Sequence, residues 1–283
     1  GASPFVAGLL LVAFGTSIPE LFVNARAYAV GAQDLALGNA VGSNIVNFGL
    51  TLALAALAAP LLIRMRLLSP MLVTLVVATL AVILFGLDGV ISQLEGIVLL
   101  LAFVAMLVFM LARSSRESAE VRESVAAYAD TRSVLWLNVL RFVVAVALLY
   151  FGAKFVVSSA PVIGASWGLS PLLVGLLPVA IGTALPEVAA AIAAARRGQG
   201  DMVAGHVIGS SLFNLLVVVG GMAALRPLPL PASFVRLELP AAIVFALMLY
   251  PMLRGDLRIS KGEGGVLFIA FLGWVVLELA LLM

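Results

Sequence analysis

Residues 3–20 read SPFVAGLLLVAFGTSIPE, and residues 170–187 read SPLLVGLLPVAIGTALPE. The two stretches align without a gap at an offset of 167 residues, and each ends in a glutamate that follows an apolar run. An ionisable side chain inside a membrane span costs about 2.5–3.5 kcal/mol on insertion scales, so it is usually retained to handle an ion, a proton or a substrate. Here that cost is met twice, at Glu20 and at Glu187. The same offset relates Asp34 to Asp201, Ser43 to Ser210 and Asn47 to Asn214.

The composition indicates a polytopic membrane protein. Hydrophobic residues make up 64% of the 283 positions and charged residues only 11%, against about 45–50% and about 25% in soluble domains. The net charge of +2 is too small for an electrostatic nucleic-acid binder. The sequence has no cysteine and a single histidine, His206, which excludes disulfides, thiolate catalysis and a histidine-rich transition-metal site. We expect no cofactor, and the absence of HExxH and GxSxG motifs argues against an intramembrane enzyme.

The hydropathy predicts nine membrane helices, because about 20 apolar residues cross a bilayer. The predicted spans are 4–30, 35–62, 68–87, 93–112, 134–159, 170–196, 201–225, 238–253 and 264–283. Nine is odd for a duplicated fold, so we expect one further helix before the first, giving five plus five. Five crossings per half require opposite insertion of the halves, which is the inverted-repeat arrangement of many transporters.

We therefore divide the chain into a first inverted repeat lacking its first helix (1–112), a linker (113–133) and a second inverted repeat (134–283). The linker mixes arginines with acidic residues at helical spacing and predicts a short amphipathic segment rather than a ligand-sensing domain. If it is cytoplasmic, twelve basic residues lie on that side and four outside, as the positive-inside rule requires. The twelve are Arg64, Arg66, Arg113, Arg116, Arg122, Arg132, Arg141, Arg196, Arg197, Arg254, Arg258 and Lys261; the four are Arg26, Lys154, Arg226 and Arg236.

Proline precedes each glutamate, at Pro19 and Pro186. Because proline lacks an amide hydrogen and clashes with the carbonyl one turn earlier, we expect each helix to kink or break just before the glutamate. Broken helices expose carbonyls and hydroxyls that coordinate cations. Thr16 and Thr183 lie four residues before the glutamates, on the same helical face. These are hard oxygen ligands, which suit calcium or sodium.

The second segment of each repeat supplies further oxygens. It reads GNAVGSNIVN over 38–47 and GHVIGSSLFN over 205–214, which places Ser43 with Asn47, and Ser210 with Asn214, on one helical face. Glycines four residues apart in both copies form small faces that allow close helix packing.

These motifs closely resemble those of the sodium/calcium exchangers, within the calcium/cation antiporter superfamily. The family's G-T-S-x-P-E and G-N-x-x-G-S-N-x-x-N/D stretches stand here as GTSIPE with GNAVGSNIVN and as GTALPE with GHVIGSSLFN. The resemblance implies a ten-helix inverted-repeat fold around central cation sites. It implies that Glu20 and Glu187 are calcium ligands shared with sodium. It implies that main-chain oxygens of Thr16 and Thr183 and the carbonyls of Ala13 and Ala180 add further ligands. The sodium and water positions would be completed by five neutral side chains, those of Ser17, Ser43, Ser210, Asn47 and Asn214.

Three departures from the family pattern bear on these expectations. Ala184 replaces a serine often found in the second motif, which puts the outermost sodium site in question. Asn214 stands where several relatives carry aspartate, a pattern more like the potassium-independent exchangers. His206 replaces the asparagine seen at Asn39 and is either a neutral packing residue or a proton-sensitive group near the pathway.

Structural roles are expected for several other acidic residues. Asp34 and Asp201 are expected to cap helix starts, and Glu95 and Glu263 to be first-turn charges. Glu238 is expected at the membrane interface, and Glu278 is expected to face a neighbouring helix.

The leading hypothesis is a secondary antiporter that exchanges sodium for calcium by alternating access, with calcium/proton exchange as the alternative. A channel is disfavoured by inverted broken helices around a closed midplane site. We expect a monomer that spans a prokaryotic inner membrane several times. We expect its partners to be calcium ions, sodium ions and the lipid bilayer, with no nucleic acid.

Overall fold

The computed structural model describes residues 14–113, 117–126, 135–254 and 257–281. Its helices are α1 (Ile18–Ala29), α2 (Gln33–Ala58), α3 (Leu68–Phe85), α4 (Gln93–Arg113), α5 (Ala119–Ala126), α6 (Leu135–Ser166), α7 (Pro171–Arg196), α8 (Gly200–Leu225), α9 (Leu239–Arg254, after a π-helical turn Phe234–Glu238) and α10 (Lys261–Ala280). Four two-residue strands accompany them: β1 (Leu61–Leu62), β2 (Val90–Ile91), β3 (Leu228–Pro229) and β4 (Arg258–Ile259).

Eight helices of the described part are long and apolar enough to cross a membrane. They correspond to the predicted spans from 35–62 onward, and α5 is the short helix of the linker. The predicted span 4–30 is described only from residue 14, so residues 4–13 lie outside the described residues. The prediction of an all-α membrane protein is confirmed.

The two halves run in opposite directions across the bundle. Strand β1 pairs with β4 and strand β2 with β3, both antiparallel. Helix α3 separates β1 from β2 along the chain, and its 18 residues span about 27 Å at 1.5 Å per residue, so the two small sheets lie at opposite ends of the bundle. Helix α2 leads to β1 and its repeat counterpart α8 leads to β3. The inverted repeat follows directly.

Matched irregularities interrupt α2 and α8. A π-helical segment occupies Asn47–Leu52 in the first half and Asn214–Val219 in the second, at the offset of 167 residues found in the sequence. Both segments begin at the asparagine predicted to face the cation site. π-Helical turns occur frequently at functional sites, because the extra residue re-aims side chains and backbone groups.

Glycines bring α2 against α7, as the small-residue spacing predicts. A Cβ atom on Gly38 would overlap the Leu172 carbonyl oxygen, and one on Gly42 would overlap the Leu176 carbonyl oxygen. The two backbones therefore touch, and the first half is packed directly onto α7 of the second.

The expected break before each glutamate holds in the first half and is wrong in the second. A 3₁₀ turn at Gly15–Ser17 does break the chain before Glu20, but α7 passes through Pro186 without a break. Its irregularity is instead a π-helical segment, Gly175–Val179, which accommodates Pro178. The second glutamate consequently lies inside a helix, whereas the first lies at a helix start.

Asp201 does not have the capping role expected for it, whereas Glu95 and Glu263 have their expected roles at helix starts. Asp201 does not cap α8: its Oδ1 accepts the backbone amides of Arg64 and Met65, at 2.6 and 2.7 Å, and so joins the two halves. Glu263 forms a capping box with Ser260 at the start of α10. Glu95 accepts the Ser92 amide at 2.7 Å at the start of α4, so both first-turn glutamates have the role predicted for helix starts.

Candidate functional site

Both repeat glutamates are buried at the contact between the halves. Glu20 lies in the first turn of α1 and is 2% exposed, and Glu187 lies in α7 and is 7% exposed. The two carboxylates are close enough for their charges to interact, and the Thr183 side chain lies beside Glu20. Burial of two like charges is unfavourable unless a counter-charge joins them.

A serine hydroxyl joins three helices at this site. Ser17 Oγ donates to Ser210 Oγ at 2.7 Å, and Asn47 Nδ2 donates to the same oxygen at 3.2 Å. Ser17 directly precedes α1, Asn47 is in α2 and Ser210 is in α8, and all three side chains are buried. Ser210 therefore connects the two halves at the level of the glutamates.

Buried oxygens remain unsatisfied around these residues. Within the part of the chain that the structure describes, five side-chain oxygens of predicted site residues are buried and have no hydrogen-bond partner. They are Glu20 Oε2, Glu187 Oε1, Asn47 Oδ1, Ser43 Oγ and Asn214 Oδ1. Because an unsatisfied buried polar group costs about 1–3 kcal/mol, this concentration of oxygens indicates a ligand site for hard cations.

The two repeats differ in their hydroxyls. In one set Ser17, Ser210 and Asn47 bond to one another. In the repeat-equivalent set the serine is replaced by Ala184, and, among the described residues, Ser43 Oγ and both amide atoms of Asn214 lack partners. The single substitution at Ala184 removes the donor that corresponds to Ser17, which explains why the second set is not closed by hydrogen bonds.

His206 is placed directly beside a predicted cation ligand. Its Nε2 is 3.3 Å from Glu187 Oε2, and both side chains are largely buried. Its repeat counterpart, Asn39, instead donates from Nδ2 to Asn24 Oδ1 at 2.8 Å. The two repeats therefore use this helix position differently.

The remaining predicted oxygens have mixed outcomes. The carbonyl of Ala180 accepts the Thr183 hydroxyl at 3.2 Å. Thr16 belongs to the 3₁₀ turn before α1, and Ala13 lies outside the described residues. The hydrogen bonds of Ser210 with Ser17 and Asn47 join the two halves at these candidates.

The sequence reasoning missed Asn24 and its partner Asn39. Asn24 follows Glu20 by four residues, so it occupies the same face of α1, and both asparagines are buried. The sequence signal was the spacing of four residues between Glu20 and Asn24. Thr51, a buried residue with a hydroxyl group in the π-helical segment of α2, was also missed.

Comparisons with known proteins agree with this geometry. A family model described as sodium/calcium exchanger protein matches residues 1–112 and 137–280. Inner membrane protein YrbG of Escherichia coli strain K12 is 33% identical, over 98% of this chain and 87% of its own. Sodium/calcium exchanger MaX1 of Methanosarcina acetivorans is 27% identical, over 98% of this chain and 89% of its own.

A solved structure shares the fold. The sodium-calcium exchanger NCX_Mj, soaked with 2.5 mM Na⁺ and 0.1 mM Sr²⁺, matches with a TM-score of 0.71 and 28% identity over 98% of this chain and 87% of that chain. The resemblance drawn from the two motifs is therefore confirmed over almost the whole chain. The chain belongs to the sodium/calcium exchanger protein family, and it is a multi-pass membrane cation antiporter rather than an enzyme.

Proposed function

We propose that this protein exchanges sodium for calcium by alternating access, with the cations bound between α1, α2, α7 and α8. The observation that carries the proposal is the set of five buried, unpartnered oxygens found among the described residues, drawn from both halves. Carboxylate, hydroxyl and amide oxygens are the ligands that calcium and sodium prefer. The names of MaX1 and NCX_Mj support the choice of these two ions.

Charge balance gives the two glutamates their proposed roles. With Glu20 and Glu187 ionised, one calcium ion neutralises the site, and sodium ions neutralise the same carboxylates in turn. Competition for shared ligands couples the two ions, because the site returns across the membrane only when its charge is compensated. The main-chain oxygens of Thr16 and Thr183, with the carbonyls of Ala13 and Ala180, would complete the calcium shell.

The neutral side chains would hold sodium or water. These are Ser17, Ser43, Ser210, Asn47 and Asn214. The closed cluster at Ser210 and the open set at Ser43 differ only by Ala184 in place of serine. We therefore place the weaker sodium position at the Ala184 end of the site.

The proposed orientation puts the linker 113–133 in the cytoplasm. The end of the bundle that carries β1 and β4 also carries Arg64, Arg66, Arg196 and Arg258, which fits the positive-inside rule. The name of YrbG supports an inner-membrane location in a prokaryotic cell. We propose a monomer composed of repeats 1–112 and 134–283 joined by the linker.

Proton coupling is the second candidate, and His206 is the observation that favours it. Its Nε2 lies 3.3 Å from the carboxylate of Glu187, which is one of the proposed calcium ligands. In that mechanism a proton would replace sodium as the counter-ion for calcium.

Vesicle transport separates the two candidates. Purified protein is reconstituted into vesicles loaded with sodium, and calcium uptake is measured at constant pH with and without the sodium gradient. Calcium uptake that requires the sodium gradient supports sodium coupling. Calcium uptake that follows only a pH gradient would refute sodium coupling and support proton coupling.

Substitution of the carboxylates tests the site in the same vesicles. Glu20→Gln and Glu187→Gln should each abolish calcium uptake while leaving a folded protein, because each removes half of the anionic charge but keeps the side chain's size. Glu263→Gln is the matched control, since Glu263 lies in the capping box of α10 and should retain uptake. Near wild-type uptake in either site variant would refute the assignment.

A further inference from the structure

A cavity with two arginines lies at the end of the bundle that carries β1 and β4. Its volume is about 440 Å³, within the range of about 300–1,000 Å³ found for small-molecule sites. Its charged and polar lining residues are Arg64, Arg66, Ser69 and Ser118. No acidic residue lines the cavity within the part of the chain that the structure describes. The ligand that this lining favours is therefore an anion.

The two arginines share one face of the segment that follows β1. Residues 61–66 alternate between buried and exposed positions, and Arg64 and Arg66 are among the exposed ones. Successive side chains of an extended segment point to opposite sides, so side chains two residues apart point to the same side. Both positive charges consequently reach the same cavity.

Two carboxylates fix the backbone that carries these arginines. Asp201 accepts the amides of Arg64 and Met65, at 2.6 and 2.7 Å, and Glu117 accepts the amides of the next two residues, at 3.1 and 2.8 Å. Four consecutive amides are thus bonded to acidic side chains. Because the backbone is already ordered, a ligand of the arginines loses less affinity to conformational ordering.

The cavity lies at the start of a lipid-facing stripe on α3. Ser69, in the first turn of α3, is exposed and lines the cavity. Four apolar residues follow it at spacings of three or four, and each is between 46% and 63% exposed: Val73, Val77, Leu80 and Leu84. Residues three and four apart lie on one face of a helix. The face of α3 that begins at the cavity therefore continues as an apolar strip along the membrane span.

We propose that this cavity binds the headgroup of an anionic phospholipid. Its phosphodiester lies between Arg64 and Arg66, and an acyl chain follows the stripe on α3. Guanidinium groups donate paired hydrogen bonds to phosphate oxygens, and the hydroxyls of Ser69 and Ser118 are further donors. A free phosphate ion would use the arginines but would leave the stripe unused, so the geometry favours the lipid as the source of the phosphate.

Native mass spectrometry of the full-length protein in detergent measures lipid binding. The wild type should retain phosphatidylglycerol in preference to phosphatidylcholine, because both carry a phosphodiester but only the first has a net negative charge. R64Q/R66Q should bind phosphatidylglycerol about 25-fold more weakly, since each arginine near an anionic lipid contributes about fivefold in affinity. The bonds to Asp201 and Glu117 use backbone amides, so this variant should keep the wild-type Tm in lipid-free detergent.

R196Q/R197Q is the matched control. It removes the same charge from the same end of the bundle, because the α7–α8 turn packs through Gly200 on the backbone of Leu62. Neither Arg196 nor Arg197 lines the cavity, so this variant should retain phosphatidylglycerol as the wild type does.

Two further arms separate the cavity from general charge and the lipid from free phosphate. Ser69→Asp keeps both arginines but places a negative charge in the cavity, so it should also weaken retention of phosphatidylglycerol, and it decides the question if R64Q/R66Q does not fold. Inorganic phosphate and glycerol 3-phosphate, each in large excess over the lipid, should not displace phosphatidylglycerol from the wild type.

Four outcomes would overturn the proposal. Equal retention of the two lipids by the wild type would contradict selectivity for an anionic headgroup. Equal loss in R64Q/R66Q and R196Q/R197Q would assign the effect to the net charge of that end of the bundle. Unchanged retention in Ser69→Asp would exclude the cavity, and displacement by inorganic phosphate would replace the lipid with a free anion. No readout involves cation transport, so a negative result leaves the proposed exchange unaffected.

Discussion

Ser210→Ala tests whether one hydroxyl holds the two halves together at the cation site. Ser210 accepts hydrogen bonds from Ser17, at 2.7 Å, and from Asn47, at 3.2 Å. Each hydrogen bond contributes about 0.5–1.5 kcal/mol, so Ser210→Ala should destabilise the protein by about 1–3 kcal/mol. Ser17→Ala removes only one bond and should cost about half as much.

Thermal unfolding of the purified protein measures these differences. One kcal/mol corresponds to about 2–4 °C in Tm for domains of 150–250 residues, so Ser210→Ala should unfold several degrees below the wild type. The double variant with Ser17→Ala should be less destabilised than the sum of the singles, because both remove the same bond.

Ser211→Ala is the matched control for this series. The Ser211 hydroxyl bonds to the Val207 carbonyl of its own helix at 2.8 Å, so its loss leaves the contact between halves intact and calcium exchange unchanged. Ser210→Ala should slow exchange as well as lower Tm. Full additivity of the Ser17 and Ser210 variants, with Tm changes equal to that of Ser211→Ala, would refute the role of this hydroxyl.

Three further substitutions test other contacts. Gly42→Ala should lower stability by about 1–3 kcal/mol through overpacking, because the added methyl group overlaps the Leu176 carbonyl, whereas Gly221→Ala meets no atom within 4 Å and should be tolerated in the same unfolding assay. Asp201→Asn should cost about 1–3 kcal/mol, since a neutral oxygen replaces a carboxylate that accepts two backbone amides; an unchanged Tm would contradict this. Asn214→Asp adds an ionisable group to the cation site and should make calcium exchange more dependent on pH, and unchanged pH profile and ion selectivity would place Asn214 outside the cation cluster.

The sequence alone determined the class, the repeat and its inversion. Hydropathy is a local property of each segment, so eight spans agree with the helices of the described part. The odd number of crossings predicted per half required opposite insertion, and the pairing of β1 with β4 and of β2 with β3 agrees with it. Glu20 and Glu187 were identified as candidate cation ligands because the free-energy cost of a carboxylate in lipid depends only on residue type and position in a span.

Predictions made from the local sequence were wrong at Pro186 and at Asp201. Proline predicted a break before each glutamate, but a π-helical segment at Gly175–Val179 takes up the irregularity in α7. Asp201 was expected to cap its own helix, and the amides of the loop before α3 are its partners instead. The partners of Asp201 approach it only after the helices pack.

Tertiary structure alone decided which polar side chains meet. Ser17 and Ser210 are 193 residues apart in the chain, and no local pattern specifies that their hydroxyls touch. The approach of His206 to Glu187 likewise depends on the rotation and depth of helices from different segments. Periodicity assigns a side chain to a face of its own helix, but only the packing of all helices together sets which face lies opposite it.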